Sequence, residues 1–320
     1  MLKRIAVMTS GGDSPGMNAA IRAVVRVAIH EGVEVWGIHN GYAGMYDDKM
    51  VKLESRSVGD ILQRGGTFLG TARCEVFKTL EGRQKAAENL KRRGIQGVVI
   101  IGGDGSLTGA QLLSELGIAV VGLPGTIDND IWGTDYTIGF DTAINTVVEA
   151  INKLRDTASS HGRVMVLEVM GRNSGWIAMT AGLAGGAEQI LIPEMTVNLD
   201  DLCTKLSNSR DAGKKYSIVV VAEGVGSAVT IGEKIAKDTG LDTRVSVLGH
   251  IQRGGSPSVF DRILASTLAE HAVMALISGI SNVLFGSKNG AVVAIDLVDA
   301  IGHKRTIDTS TFRLATLLSK

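Results

Sequence analysis

Nine short runs rich in β-branched residues recur along the 320-residue chain, most of them meeting glycine and then a helical pattern. They read RIAVMT, EVWGI, GVVIIGG, AVVGLPG, VMVLEVMG, QILIPE, SIVVVAEG, RVSVLGH and GAVVAID. Strand alternating with helix is the pattern of a mostly parallel sheet covered on both faces, so the fold class expected is α/β. Helical spacing fits residues 16–30, where Met17, Ala20, Ile21, Val24 and Ala28 share a face, and also 81–93, 106–116, 140–156 and 258–278. The 41 glycines agree with many tight strand-to-helix turns. A single core stops growing at about 250 to 300 residues, so two domains are expected. With four prolines, no repeat and no low-complexity tract, the sequence marks their boundary weakly.

Composition excludes several classes. Lys plus Arg equals Asp plus Glu at 33 each, which argues against nonspecific nucleic-acid binding and leaves only local anion sites. Cys74 and Cys203 are too few for a disulfide scaffold and lack metal-ligand spacing, as suits a reducing compartment. No run of roughly 18 apolar residues is present, so a soluble, cytoplasmic protein is expected.

Three glycine-rich turns follow strands. TSGGDSPGMN (9–18) opens a helix, where backbone N–H groups near Gly11 and Gly12 can face a phosphate. GGDGS (102–106) sets Asp104 inside a glycine nest, and a carboxylate there would repel a phosphate unless a cation lay between. That pairing suggests Mg²⁺ on a nucleotide. GTIDNDIWGTD (125–135) carries Asp128, Asp130 and Asp135 without a Lys or Arg among them. Turn chemistry explains one such acid; a cation site or general base at a strand's carboxyl end is the sharper reading. Neither G-x-x-x-x-G-K-[ST] nor G-x-G-x-x-G is present at these turns, which disfavours a Walker ATPase and a Rossmann dehydrogenase. In the second half Arg163, Arg172, Arg244, His250 and Arg253 fall near strand ends, where the planar guanidinium suits phosphate oxygens. Arg22 and Arg26 repel each other at i and i+4 unless an anion sits between them.

Taken in order, TSGGDSPGMNAAIR, RGGTFLGTAR, IGGDGS, PGTIDNDI, EVMGR and VLGHIQRGGSP resemble the bacterial-type ATP-dependent 6-phosphofructokinases nearly end to end, with the likeness weakening after about residue 280. The resemblance implies two similar three-layer α/β/α domains with the active site in the cleft between them. One is an ATP-binding domain of 1–138 plus 252–305, the other a sugar-phosphate domain of 139–251 plus 306–320. It implies transfer of the ATP γ-phosphoryl group to the 1-hydroxyl of fructose 6-phosphate in glycolysis, with Mg²⁺. Asp128 would be the base, with Thr126 and Arg172 at the transferring group and Asp104 on the metal, Asp130 near it. Gly12, Arg73, Cys74, Gly103, Asp104, Gly105 and Ser106 would bind ATP. Thr126, Ile127, Asp128, Met170, Gly171, Arg172, Glu223, Ile251 and Gln252 would meet the sugar phosphate. Arg163, Arg244, His250 and Arg253 would clamp its phosphate, the first two supplied by a neighbouring subunit of a homotetramer. Arg22, Arg26, Arg155, Gly186, Glu188 and Lys214 would form an effector site for ADP or phosphoenolpyruvate.

Four positions depart from the family pattern. Ser55, Ala212 and Tyr216 stand where relatives often carry Arg, Lys and His, so weakened allosteric control is expected, with catalysis intact. Trp176 stands where relatives commonly have Asp. Glycine at 105 and 125 favours ATP over pyrophosphate, since pyrophosphate users typically carry Asp and Lys there. The two alternatives weighed are a pyrophosphate-dependent enzyme and a noncatalytic nucleotide-binding subunit on the same fold.

Overall fold

The computed structural model describes residues 2–318. In chain order the elements are β1 (Arg4–Ser10), α1 (Met17–His30), β2 (Glu34–Ile38), α2 (Gly41–Tyr46), β3 (Met50–Leu53), α3 (Leu80–Arg92), β4 (Gly97–Gly102), α4 (Asp104–Ser114) and β5 (Ala119–Pro124). There follow α5 (Phe140–His161), β6 (Val164–Val169), α6 (Trp176–Ala184), β7 (Gln189–Leu191), α7 (Leu199–Asp211), β8 (Ser217–Ala222), α8 (Ala228–Thr239) and β9 (Thr243–Val247). The chain ends with α9 (Val259–Ile277), β10 (Val283–Lys288), β11 (Ala291–Asp296), α10 (Leu297–Gly302) and α11 (Thr309–Leu318). Two short 3₁₀ turns cover Val76–Lys78 and Gly249–Arg253. No helix among the described residues is long and apolar enough to cross a membrane.

The chain divides into two compact units. The first comprises Met1–Ile127, Ile131–Thr142 and Arg253–Arg305; the second comprises Asp128–Asp130, Ala143–Gln252 and Thr306–Lys320. The first unit holds a seven-stranded sheet in the order β11-β10-β5-β4-β1-β2-β3. It is parallel except at its two edges, where β3 and β11 run antiparallel to their neighbours. Alternation along the central strands explains why both faces are covered. Ile5, Val7, Val99, Ile101, Val121 and Leu123 pack with α1 and α9 on one face. Ala6, Met8, Val98, Ile100 and Val120 pack with α3 and α4 on the other. Each fully buried Val or Ile contributes about 1.5–3 kcal/mol, so a strand buried on both faces needs a continuous apolar run.

The second unit repeats the scheme on a smaller, wholly parallel sheet in the order β7-β8-β6-β9. Val164, Val166, Val219 and Val221 face α7 and α8. On the opposite face Gly182 of α6 lies against Ile190, so closely that a Cβ there would come 2.8 Å from that side chain.

All nine sequence-read runs form strands. β3 and β10 are additional: β3 is a four-residue edge with two exposed central residues, and β10 is interrupted by Gly286 and ends in Ser287 and Lys288. Neither carries the long β-branched run that marks the others.

Candidate active site

In the first unit the three glycine-rich turns lie at the carboxyl ends of β1, β4 and β5, which are adjacent. They converge at short range. A Cβ on Gly11 would come 3.1 Å from Ser106 Oγ, and one on Gly103 would come 3.5 Å from Thr126. Gly125 N donates to Gly102 O at 3.0 Å. Gly11 takes φ 84°, a left-handed conformation that excludes side chains with a Cβ at low cost. Asp104 is the first residue of α4 and is exposed there, after the extended Gly103. The arrangement leaves α4 with free N–H groups at its start, a position that favours an anion.

Two further residues support this turn, Tyr42 outside the quoted motifs and Thr71 within RGGTFLGTAR. Tyr42, buried and stacked on Phe77 at 4.0 Å between ring centroids, donates its hydroxyl to Ser106 O at 2.5 Å. Thr71 Oγ1 donates to Gly11 O at 2.8 Å, which fastens the loop bearing the exposed Arg73 and half-buried Cys74 to the first turn.

Thr126 and Ile127 are buried after β5. Thr137 Oγ1 donates to Thr126 O at 2.6 Å, and Ile138 N donates to Pro124 O. This return strand is itself held by Asp261, which accepts from Gly139 N, Thr142 N and Thr142 Oγ1 at 2.8, 2.8 and 2.5 Å. Burial of Asp261 pushes its carboxyl up to about 6, against these hydrogen bonds. Asp135 proves to be an anchor: its Oδ2 accepts from Asn289 N at 2.7 Å, at the tip of the β10–β11 hairpin.

Asp128, Asn129 and Asp130 pack with the second unit. Asp128 is 5% exposed, and its carbonyl accepts from Ser174 Oγ at 3.0 Å. Asn129 takes φ 51°, which Asn tolerates better than most residues. The segment after β6 is tightly held. Glu223 Oε1 accepts from Gly171 N at 3.2 Å and Arg172 N at 2.7 Å, while Arg172 itself takes φ 53° with its side chain exposed. Gln252, fully buried, accepts from Met170 N at 3.2 Å and donates to Gly249 O at 3.0 Å. Its amide is therefore spent on the fold around Met170, and Ile251 beside it is exposed.

Arg163 and Arg244 meet on one carboxylate: Arg163 Nε and Arg244 Nη2 lie 2.6 and 3.0 Å from Asp242. The Arg163 hydrogen bond holds Asp242 below the usual carboxylate value, with Arg244 adding to the effect. His250 is exposed on the 3₁₀ turn that follows β9. Arg253 belongs to the first unit, where its Nη1 donates to Asp13 O at 3.1 Å and its guanidinium lies on Gly12.

The residues expected at an effector site divide between the units. Arg22 and Arg26 lie one turn apart on α1, and partial burial, then Arg26, lowers the Arg22 value from its ordinary one. In the second unit Arg155 donates to Gly185 O and Gly186 O at 2.5 and 2.8 Å and to Tyr216 Oη at 3.4 Å. Lys214 pairs with Glu188 at 3.2 Å, and Glu188 also accepts from Ile218 N.

Fold and site together define an α/β protein with anion-binding glycine turns at the ends of parallel strands and acids set among them. The phosphofructokinase family profile matches residues 4–276, and the chain belongs to the phosphofructokinase family. Over 318 residues it is 59% identical to the ATP-dependent 6-phosphofructokinase of Bacillus pumilus, covering 99% of this chain and 100% of that one. The enzyme of the same name from Bacillus subtilis is 58% identical over the same span. Among solved structures, phosphofructokinase from Saccharomyces cerevisiae superposes with a TM-score of 0.87 at 37% identity, covering 99% of this chain and 48% of that longer one. The resemblance carried by the motifs is thereby borne out.

Proposed function

We propose that this chain transfers the γ-phosphoryl group of ATP to the 1-hydroxyl of fructose 6-phosphate, giving fructose 1,6-bisphosphate and ADP, in the cytoplasm and as a homotetramer. The observation that carries the reading is the close approach of Gly11 to Ser106 and of Gly103 to Thr126 at the turn that bears the exposed Asp104, in a chain alike along its whole length to enzymes of that name. Phosphoryl transfer asks a protein mainly for positioning and charge stabilisation, and that is what these groups offer.

Gly12, Arg73, Cys74 and the Gly103–Ser106 turn hold the nucleotide in this reading. Met170, Gly171, Arg172 and Glu223 hold the sugar, with Arg163, Arg244, His250 and Arg253 on its phosphate. Glu223 keeps a second duty, because its carboxylate fixes the backbone of Gly171 and Arg172. Asp128 accepts the hydroxyl proton, a contribution of roughly 10²–10⁴ in rate for a well-placed base. Thr126 and Arg172 steady the transferring group.

Mg²⁺ fits the donor set. Among the described residues no group of three or more His, Cys, Asp or Glu could hold a metal ion alone. One exposed carboxylate, Asp104, beside open N–H groups suits a hard cation that arrives on phosphate oxygens and keeps its waters, with Asp130 as a second acid. When bound, the ion neutralises charge on the phosphates.

A coupled assay of fructose 1,6-bisphosphate formation tests the reading, with Mg²⁺ and either ATP or pyrophosphate as donor. Turnover with ATP is expected, and an Asp128→Ser variant should lose most of it while keeping nucleotide affinity. Turnover with pyrophosphate alone, or a folded protein inert with both donors, would overturn the reading.

A further inference from the structure

Gly12 invites a question that Gly11 and Gly16 do not. Those two take φ 84° and 105°, so their backbone alone requires glycine. Gly12 does not lie in that left-handed region, so its conformation leaves other residues free to stand there. The three atoms a side chain would meet first all belong to one neighbour. A Cβ on Gly12 would come 2.4 Å from Arg253 Nη1, 3.1 Å from its Cζ and 3.4 Å from its Nη2. All three are guanidinium atoms, and the same Nη1 donates to the carbonyl of Asp13, the next residue, at 3.1 Å.

We propose that Gly12 is a positioning residue: with the Asp13 carbonyl it forms a flat seat that fixes the Arg253 guanidinium, and through it the grip on the sugar phosphate. The inference rests on the reading of Arg253 as a ligand of that phosphate. It differs from the view that Gly12 is bare only so that a nucleotide phosphate can approach the turn. The seat is rigid on both sides. Asn18 Nδ2, at the start of α1, donates to Arg64 O and Gly65 O at 3.1 and 3.2 Å. Gly65 in turn lies against the backbone of Gly255, two residues beyond Arg253, where an added Cβ would come 2.3 Å from the carbonyl oxygen. Ser256 Oγ donates to Gln63 O at 2.8 Å. Main chain on either side is thus fastened, and a methyl at position 12 must be accommodated by moving the guanidinium.

The test compares wild type, Gly12→Ala, Arg253→Ala and the double variant in steady-state kinetics and in thermal melting. Loss of one charged hydrogen bond's placement is worth roughly ten-fold or more in affinity, so Gly12→Ala is expected to raise KM for fructose 6-phosphate by about that factor. Any change in KM for ATP reports Gly12's own place at the nucleotide; the seat is read from KM for fructose 6-phosphate, to which the substitution should add nothing in the Arg253→Ala background. A rise in KM for fructose 6-phosphate that persists in the Arg253→Ala background would overturn the proposal. Melting reads the contact without substrate: Gly12→Ala should lower Tm only when Arg253 is present, and equal shifts in both backgrounds would also overturn it. A wild type that turns over neither substrate refutes the functional reading, and the melting comparison still decides the seat.

Discussion

The Tyr42 hydroxyl donates to the Ser106 carbonyl at 2.5 Å, beneath the first turn of the helix that begins at Asp104. Burial pushes the phenol up from its ordinary value, which favours the protonated, donating form. Phe in place of Tyr42 leaves a buried carbonyl without that donor, at a cost of about 1–3 kcal/mol. Tyr42→Phe is expected to melt earlier and to raise KM for ATP more than KM for fructose 6-phosphate. Equal effects on both would separate Tyr42 from the nucleotide turn.

Gly105 and Gly125 differ in the space around them. A Cβ on Gly105 meets nothing within 4 Å, whereas one on Gly125 would come 2.9 Å from Ile101 and 3.1 Å from Met17. Gly105→Asp should therefore fold normally while its carboxylate repels a nucleotide phosphate. Its kcat/KM for ATP is expected to fall at least about ten-fold, the size of one charged hydrogen bond, with Tm nearly unchanged. Undiminished use of ATP would remove Gly105 from donor choice.

Asp261 gives a pH dependence with a definite sign. Its folded value is about 6 against 3.8 for the free side chain, so the folded protein binds its proton more tightly. The stability this supplies is complete below 3.8 and is lost as pH rises through 6, amounting to on the order of 3 kcal/mol. Asp261→Asn cannot ionise. Its stability relative to wild type should improve between pH 4 and pH 7, read by denaturant melts; a difference constant across that range would refute the assignment.

Arg155 already serves the Gly185 and Gly186 carbonyls and the Tyr216 hydroxyl, and Lys214 is paired with Glu188. With serine, alanine and tyrosine at 55, 212 and 216, few cations remain there for an anionic effector. Millimolar phosphoenolpyruvate is expected to leave the curve of velocity against fructose 6-phosphate nearly unchanged. Strong sigmoidal inhibition relieved by ADP would overturn this.

The strands, the three glycine turns and the parallel arrangement were legible because apolar periodicity and backbone demands are local. Asp128, Asp104 and the arginines stood out as residue types that strand ends do not otherwise need. Asp261, Tyr42 and the Gly12–Arg253 contact were not legible, because each joins residues far apart in the chain through a single polar atom or a missing one. Asp135 read as a turn or structural acid, and the fold supplies its partner, Asn289, 154 residues on.

Strand β5 pairs on one side with β4 and on the other with β10, which lies roughly 160 residues further along. Ribosomes add about 5–20 residues per second, so the free side of β5 waits roughly 10 to 30 seconds for its neighbour during synthesis. For that interval an apolar strand offers an unpaired row of N–H and C=O groups, the template on which nascent chains join. The risk of misassembly in this protein is thus written into chain order, and it lasts until β10 has left the ribosome.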